Sequence, residues 1–181
     1  MDIKKTLLFF TLISLFAPAS AEVDHEYFGI SLGLATLDSG DNSFIQSGDT
    51  EPSLSFGLYG AGVTDEGFGV ELGFISMDKF ASKDFDGVYS RAYGMELSPL
   101  YEFPMSESFS MYVKAGLYAW KISNKNTTTR WNTTGTSTTY GLGAIYRPKS
   151  SNLIWRFSAQ YYNDLDDASI TRVSVDLGFG F

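Results

Sequence analysis

Residues 170–181 read ITRVSVDLGFGF. Val173, Val175, Leu177, Phe179 and Phe181 fall on one side of an extended strand, and Arg172, Ser174, Asp176, Gly178 and Gly180 on the other. That is strict period-two alternation. One face is large and apolar, the other polar or glycine, and the last residue is aromatic. Such a strand suits a sheet that closes on itself inside a lipid bilayer. There every backbone N–H and C=O must be satisfied within the wall, so the last strand has to pair with the first and leave no edge.

The same alternation recurs upstream. Strands are expected at residues 26–37, 53–63, 67–77, 88–103, 108–122, 135–147 and 153–162, with residues 170–181 as the eighth. Phe28, Ile30, Leu32 and Leu34 alternate with Tyr27, Gly29, Ser31, Gly33 and Ala35; Phe68, Val70, Leu72 and Phe74 alternate with Gly69, Glu71 and Gly73. The bulky set shares one face and the small or charged set the other, the reverse of a soluble barrel, which hides its bulk inside. Eight strands of about ten residues suit a tilted bilayer crossing. The joins after strands two, four and six read as short, and those after one, three, five and seven as longer and polar, as in outer-membrane barrels. Centring one hairpin on Asp65 sets Leu58 against Leu72. Centring another near Met105 sets Glu96 against Lys114. Pro99 would face outward, where it lacks a ladder donor. The expected class is therefore all-β: an eight-stranded antiparallel up-and-down transmembrane barrel.

Residues 1–21 read as a cleaved signal peptide: Lys4 and Lys5, an apolar run from Thr6 to Phe16, then Ala19-Ser20-Ala21. The run is well short of the roughly 20 residues a spanning helix needs. Residues 22–181 are left as one barrel domain. The chain carries −8; without the leader, whose Asp2, Lys4 and Lys5 sum to +1, it carries −9, which argues against nucleic acid as a partner. With no Cys, disulfides and a lipoprotein anchor are excluded. An aromatic content of 16% with 18 glycines fits a narrow barrel with small inward residues.

Order and spacing, more than any single motif, give a likeness over nearly all of residues 22–181. Gly69-Val70-Glu71-Leu72-Gly73-Phe74, the strand pair from Leu97 to Lys121 around Pro104, the segment Tyr140–Asn163 and the Phe-ended last strand resemble the OmpA-like transmembrane domain family of small outer-membrane barrels. The resemblance implies an outer-membrane location in a Gram-negative-type bacterium and a lipid and lipopolysaccharide surround. It also implies charged residues inside the barrel at positions matching Glu71 and Arg156. A terminal strand carrying Val175, Leu177, Phe179 and Phe181 would be read by the barrel-assembly machinery. The chain stops at Phe181, so the family's peptidoglycan-binding domain and cell-wall tethering are not carried over.

The inward charges expected to meet are Glu71, Glu96 and Asp176 with Lys114 and Arg156, and Arg147 and Arg172 are placed nearer the rims. Such a set could serve acid/base chemistry or ion passage, but in eight strands it reads better as a salt-bridge plug. One hypothesis is that Lys114 and Glu96 pair across the lumen. The single histidine, His25, precedes strand one and reads as a bystander, so no catalytic, metal or cofactor site is expected and the chain is not expected to be an enzyme. The Gly-rich run Gly57–Gly62 is explained by inward packing rather than nucleotide binding. Asn126 and Asn132 begin acceptor-like Asn-Thr-Thr runs, read as polar surface loop.

The outward loops remain: residues 38–52 with Asp38, Asp41, Asp49 and Glu51; Lys121–Thr139 with Lys125, Arg130 and Trp131; and Asp164, Asp166 and Asp167. Exposed loops on a rigid scaffold are where binding concentrates. The expected function is structural or surface-interacting, adhesin-like, with host or surface ligands bound by loops. Acidic loops could also bridge divalent cations to lipopolysaccharide. The alternatives are a small-solute or ion pore and, further behind, a lipid-modifying enzyme. A monomer is expected.

Overall fold

In the computed structural model, residues 23–39, 52–81, 89–125 and 128–181 are described. The expected signal peptide and residues 40–51 of the first loop lie outside them. The chain forms one closed antiparallel barrel: β1 (Val23–Ser39), β2 (Ser53–Thr64), β3 (Phe68–Ala81), β4 (Tyr89–Ser106), β5 (Phe109–Lys125), β6 (Arg130–Tyr146), β7 (Leu153–Tyr162) and β8 (Ala168–Gly180). Each strand pairs with its sequence neighbours, and β8 returns to β1 from Tyr27↔Gly180 to Ser39↔Ala168. The seam matches outward residues with outward ones (Phe28↔Phe179, Leu32↔Val175) and inward with inward (Ser31↔Asp176).

The wall is staggered by a fixed amount. Pairing partners run from His25 through Val63, Gly69, Leu100, Lys114, Gly141, Gln160 and Arg172 and return to β1 at Ala35. The circuit thus gains ten residues, a shear that tilts eight strands by about 40° and leaves an interior just wide enough for side chains. The outer face is the apolar one. Leu54, Leu32 and Phe28 are 71%, 61% and 57% exposed, which only a hydrocarbon surround would favour. Aromatics collect at the end holding both chain termini, where Phe28 lies 6.1 Å from Phe181 and Tyr101 sits 4.7 Å from Phe68 and 4.6 Å from Phe103 between ring centroids. Inward glycines take up the bulk of inward large side chains: Tyr59 lies over Gly29 and Gly178, Tyr112 against Gly143, and Lys114 against Gly141.

Both hairpin registers differ from the sequence expectation. Leu58 pairs with Phe74 rather than Leu72, because the β2–β3 turn closes at Gly67, whose φ of +89° suits glycine alone. Glu96 pairs with Tyr118, and Lys114 with Leu100, because β4 continues through Pro104 to Ser106 and turns at Glu107-Ser108. Both slips are even-numbered, so every side chain keeps its face. Pro99 does face outward, and the β4–β5 ladder lapses at Ser98 and Pro99.

A larger correction concerns Lys121–Thr139. β5 continues to Lys125 and β6 begins at Arg130, paired without a break from Lys121↔Thr134 to Lys125↔Arg130. The Thr-rich stretch is a hairpin, since threonine is β-branched and suits a strand exposed on one face. Asn132 accordingly sits in β6 opposite Ser123, while Asn126 lies outside the described residues. The join after β5 (126–129) is therefore shorter than that after β6 (147–152), and the expected alternation in length fails there.

Candidate functional site

The interior holds three levels of paired charge. Nearest the chain termini, Glu102 on β4 takes two hydrogen bonds from Arg147, at 3.0 and 2.8 Å, and one from Tyr27 at 3.1 Å. His25 Nε2 lies 3.1 Å from the same Arg147 nitrogen and 3.6 Å from Glu102, and its Nδ1 lies 3.1 Å from Asp24.

One level deeper, Glu71 on β3 holds Lys114 Nζ at 2.5 Å through one oxygen and Arg156 at 2.6 Å through the other. The Arg156 guanidinium sits 4.2 Å from the Tyr59 ring centre and 4.8 Å from that of Tyr112, whose hydroxyl it also donates to at 3.0 Å. Asp176 lies 3.5 Å from Arg156 Nε and accepts from Ser158 at 2.9 Å. The guanidinium is thus engaged by aromatic rings as well as by carboxylates.

The third level is built on Glu96. Lys114 Nζ reaches it at 2.7 Å, Ser98 donates at 2.8 Å, and Gln160 donates to both oxygens at 3.3 and 3.1 Å. Gln160 in turn accepts from Arg172 at 2.8 Å, and Arg172 also donates to Ser55 at 2.9 Å and to Ser31. Above this level the lumen turns apolar, with Met77, Phe80, Tyr118, Trp120, Tyr162, Leu165 and Ile170 in one buried cluster.

The described interior charges cancel: Glu71, Glu96, Glu102 and Asp176 against Lys114, Arg147, Arg156 and Arg172. The space left among Tyr59, Glu71, Lys114, Arg156, Arg172 and Asp176 is about 20 Å³, room for about one water molecule. A cancelled set of this kind meets the desolvation cost of its members only while complete, since an unpaired buried charge costs several kcal/mol. Chemically the arrangement can hold eight strands together. Among the described residues, Asp176 Oδ1 and Arg156 Nε are buried there without a hydrogen bond.

Glu71, Glu96, Lys114, Arg156 and Asp176 all point into the lumen and form one continuous run of ion pairs, Glu96–Lys114–Glu71–Arg156–Asp176. Arg172 is 2% exposed and belongs to this interior rather than to a rim. Arg147 does sit at the rim end. Glu102 was missed, although period-two counting from Glu96 places it inward, and His25 is tied to it rather than idle. Val175, Leu177, Phe179 and Phe181 face outward, all exposed.

The far end of the barrel is shut by a side chain from an acidic turn. Leu165 lies between Asp164 and Asp166 yet is fully buried, packed with Trp120, Tyr162 and Ile170. Asp164, Asp166 and Asp167 take positive φ values of 57°, 59° and 64°, which fold the turn over the mouth, and Ser137 Oγ donates to Asp164 O at 2.5 Å. Among the described residues no three His, Asp or Glu side chains are grouped to hold a metal ion; Asp41, Asp49 and Glu51 lie outside them.

Similar solved structures include bacterial outer-membrane proteins. The fold is similar to that of Ail, the attachment invasion locus protein of Yersinia pestis, at 17% identity and a TM-score of 0.63 over 88% of this chain and 100% of that one. Ail is also known in complex with the heparin analogue sucrose octasulfate (19% identity, TM-score 0.58, 86% and 99% covered). Neisserial surface protein A is similar at 12% identity and a TM-score of 0.67, over 86% and 97% of the two chains. The N-terminal barrel domain of Pseudomonas aeruginosa OprF is similar at 15% and 0.60, over 90% and 100%. No curated protein matches by sequence. The family model of the OmpA-like transmembrane domain matches residues 21–179, nearly the whole barrel, and the chain belongs to that family of outer-membrane barrels.

Proposed function

We propose that the barrel is a closed membrane anchor whose work is done at its extracellular end, as a surface-interaction protein of adhesin-like character. The observation that carries this reading is the filled, charge-neutral lumen, with about 20 Å³ left at its centre. A plugged barrel has only its wall, its rims and its loops to offer. The β5–β6 hairpin, running on to Lys125 and Arg130 with Trp131 beside them, supplies a rigid exposed platform of the kind binding uses. The likeness to Ail, whose name records attachment and which takes a heparin analogue, supports the same class of role. A pore is disfavoured by the plug, and an enzyme by a chain whose one histidine is engaged by Asp24, Glu102 and Arg147. No cofactor is required.

The test is attachment. Cells displaying the full chain should adhere to heparin-coated or host-cell surfaces. A variant with residues 123–132 replaced by a two-residue turn should not, at equal surface level. Equal adhesion by the trimmed variant would overturn the role of the hairpin.

A further inference from the structure

Outside the lumen, the described cations of this acidic chain are not scattered. Lys149 pairs with Glu107 at the terminal end. Lys79, Arg91, Lys121, Lys125 and Arg130 all lie at the extracellular ends of β3, β4, β5 and β6, one contiguous sector of wall. The carboxylates Asp38, Asp164, Asp166 and Asp167 lie on the opposite sector, where β7 and β8 meet β1.

Within the cationic sector, three charges surround one ring. Lys79 Nζ, Arg91 Cζ and Lys125 Nζ stand 5.3, 5.4 and 5.5 Å from the centre of Tyr89. An aromatic quadrupole tempers the mutual repulsion of cations held this close, without neutralising them. Asp78 answers Arg91 at 3.1 Å. Among the described residues no carboxylate pairs with Lys79, Lys121, Lys125 or Arg130. The sector keeps a surplus of positive charge among the described residues.

The position of that surplus decides what it meets. Arg91 and Lys121, with Asp78 beside Arg91, line the upper end of an open trough on the outer wall whose lower reach runs through Tyr93 and Phe56 to Leu54 and Leu32. Arg91 is two residues above Tyr93 on the same outward face of β4, and Tyr93 pairs directly with Lys121. Cations therefore stand one step above the lipid-facing belt, on the wall rather than over the mouth. A soluble ligand would find the trough occupied by lipid. A ligand with an anionic head and apolar chains fits both halves.

We infer that the β3–β6 sector is a binding site for a phosphorylated glycolipid of the outer leaflet, with Arg91 and Lys121 taking its phosphate and the Phe56–Leu54–Leu32 stretch taking an acyl chain. The site does not depend on the surface-interaction role proposed above. It uses the wall, whereas that role uses the hairpin tip and loops. It also differs in sign from the cation-bridged contact expected of the acidic loops.

The full chain is refolded into phosphatidylcholine nanodiscs and titrated with bis-phosphorylated lipid A, with lipid A stripped of phosphate, and with soluble sucrose octasulfate. Phosphorylated lipid A should bind, and R91A/K121A should weaken it roughly tenfold or more, each juxtamembrane cation near an anionic surface being worth about 1 kcal/mol. K149A, at the other end, should leave it unchanged, and R91K/K121R should restore it. Three results would each overturn the site: equal binding of the dephosphorylated lipid by the unaltered chain, an unaffected R91A/K121A, or displacement of lipid A by sucrose octasulfate from the hairpin variant as readily as from the unaltered chain. The first arm needs no substitution, so a misfolded variant cannot shelter the inference.

Discussion

Lys114 stands opposite Leu100 on the β4–β5 ladder, yet its ammonium reaches Glu96, two inward positions further along β4, at 2.7 Å. The side chain leans obliquely into the lumen because shear places Glu71, two strands away round the wall, within 2.5 Å of the same nitrogen. One cation thus ties β3, β4 and β5 across the interior.

Removing that hub should be severe. Lys114→Met keeps the length but leaves Glu96 without a charged partner and Glu71 with Arg156 alone. The expected loss is about 3–5 kcal/mol of folding free energy, measured by reversible urea unfolding in lipid vesicles. A change below about 0.5 kcal/mol, the range of neutral surface substitutions, would remove the network from the account of stability.

Glu102→Gln tests the rim separately. Arg147 and His25 lose a carboxylate but keep an amide acceptor, so the expected cost is about 1.5–3 kcal/mol, that of a hydrogen bond to a charged group. The same unfolding assay reads it. Its effect should add to that of a substitution at Arg172, which lies at the other end of the charge column and shares no partner with it.

Leu165 carries the extracellular seal. Leu165→Ala should cost about 2 kcal/mol, the low end of the range for buried leucine because a turn can settle into the space. It should also raise hydrogen exchange at the β7–β8 turn. Unchanged exchange there would show that the turn is held by Ser137 and its own backbone instead.

Phe181 is 68% exposed, stands against Phe28, and ends the β1–β8 seam by donating to Glu26 O at 3.1 Å and accepting from Glu26 N at 3.4 Å, at a rim where water can replace both bonds. Its deletion should lower the surface yield several-fold while leaving the unfolding free energy of the purified barrel within about 0.5 kcal/mol. Normal surface yield would remove Phe181 from the assembly signal, and with it the reading of Val175, Leu177 and Phe179 as its companions.

The class of fold was legible because strand faces follow from period-two alternation, and an even register slip leaves those faces intact. Glu71, Glu96, Lys114, Arg156 and Asp176 could therefore be placed inward although the partners across two hairpins were each misplaced. Register itself was not legible. It depends on where a turn closes, and Pro104 looked like a turn although β4 passes through it. The Thr-rich stretch misled in the opposite direction, since polarity suggested loop while β-branching built a hairpin. Arg172 was set at a rim because distance from a chain end ignores shear, which lifts Gln160 and Arg172 to the level of Glu96. Leu165 was hidden among aspartates, where composition outweighs a single apolar residue.

The central claim is that this lumen is closed by a charge-neutral set of buried, interlinked side chains. Planar-bilayer recording of the purified, refolded chain tests it most directly. The account predicts a silent membrane, with openings gained only when Lys114 and Glu96 are both replaced by alanine. Regular ohmic steps from the unaltered chain would contradict it.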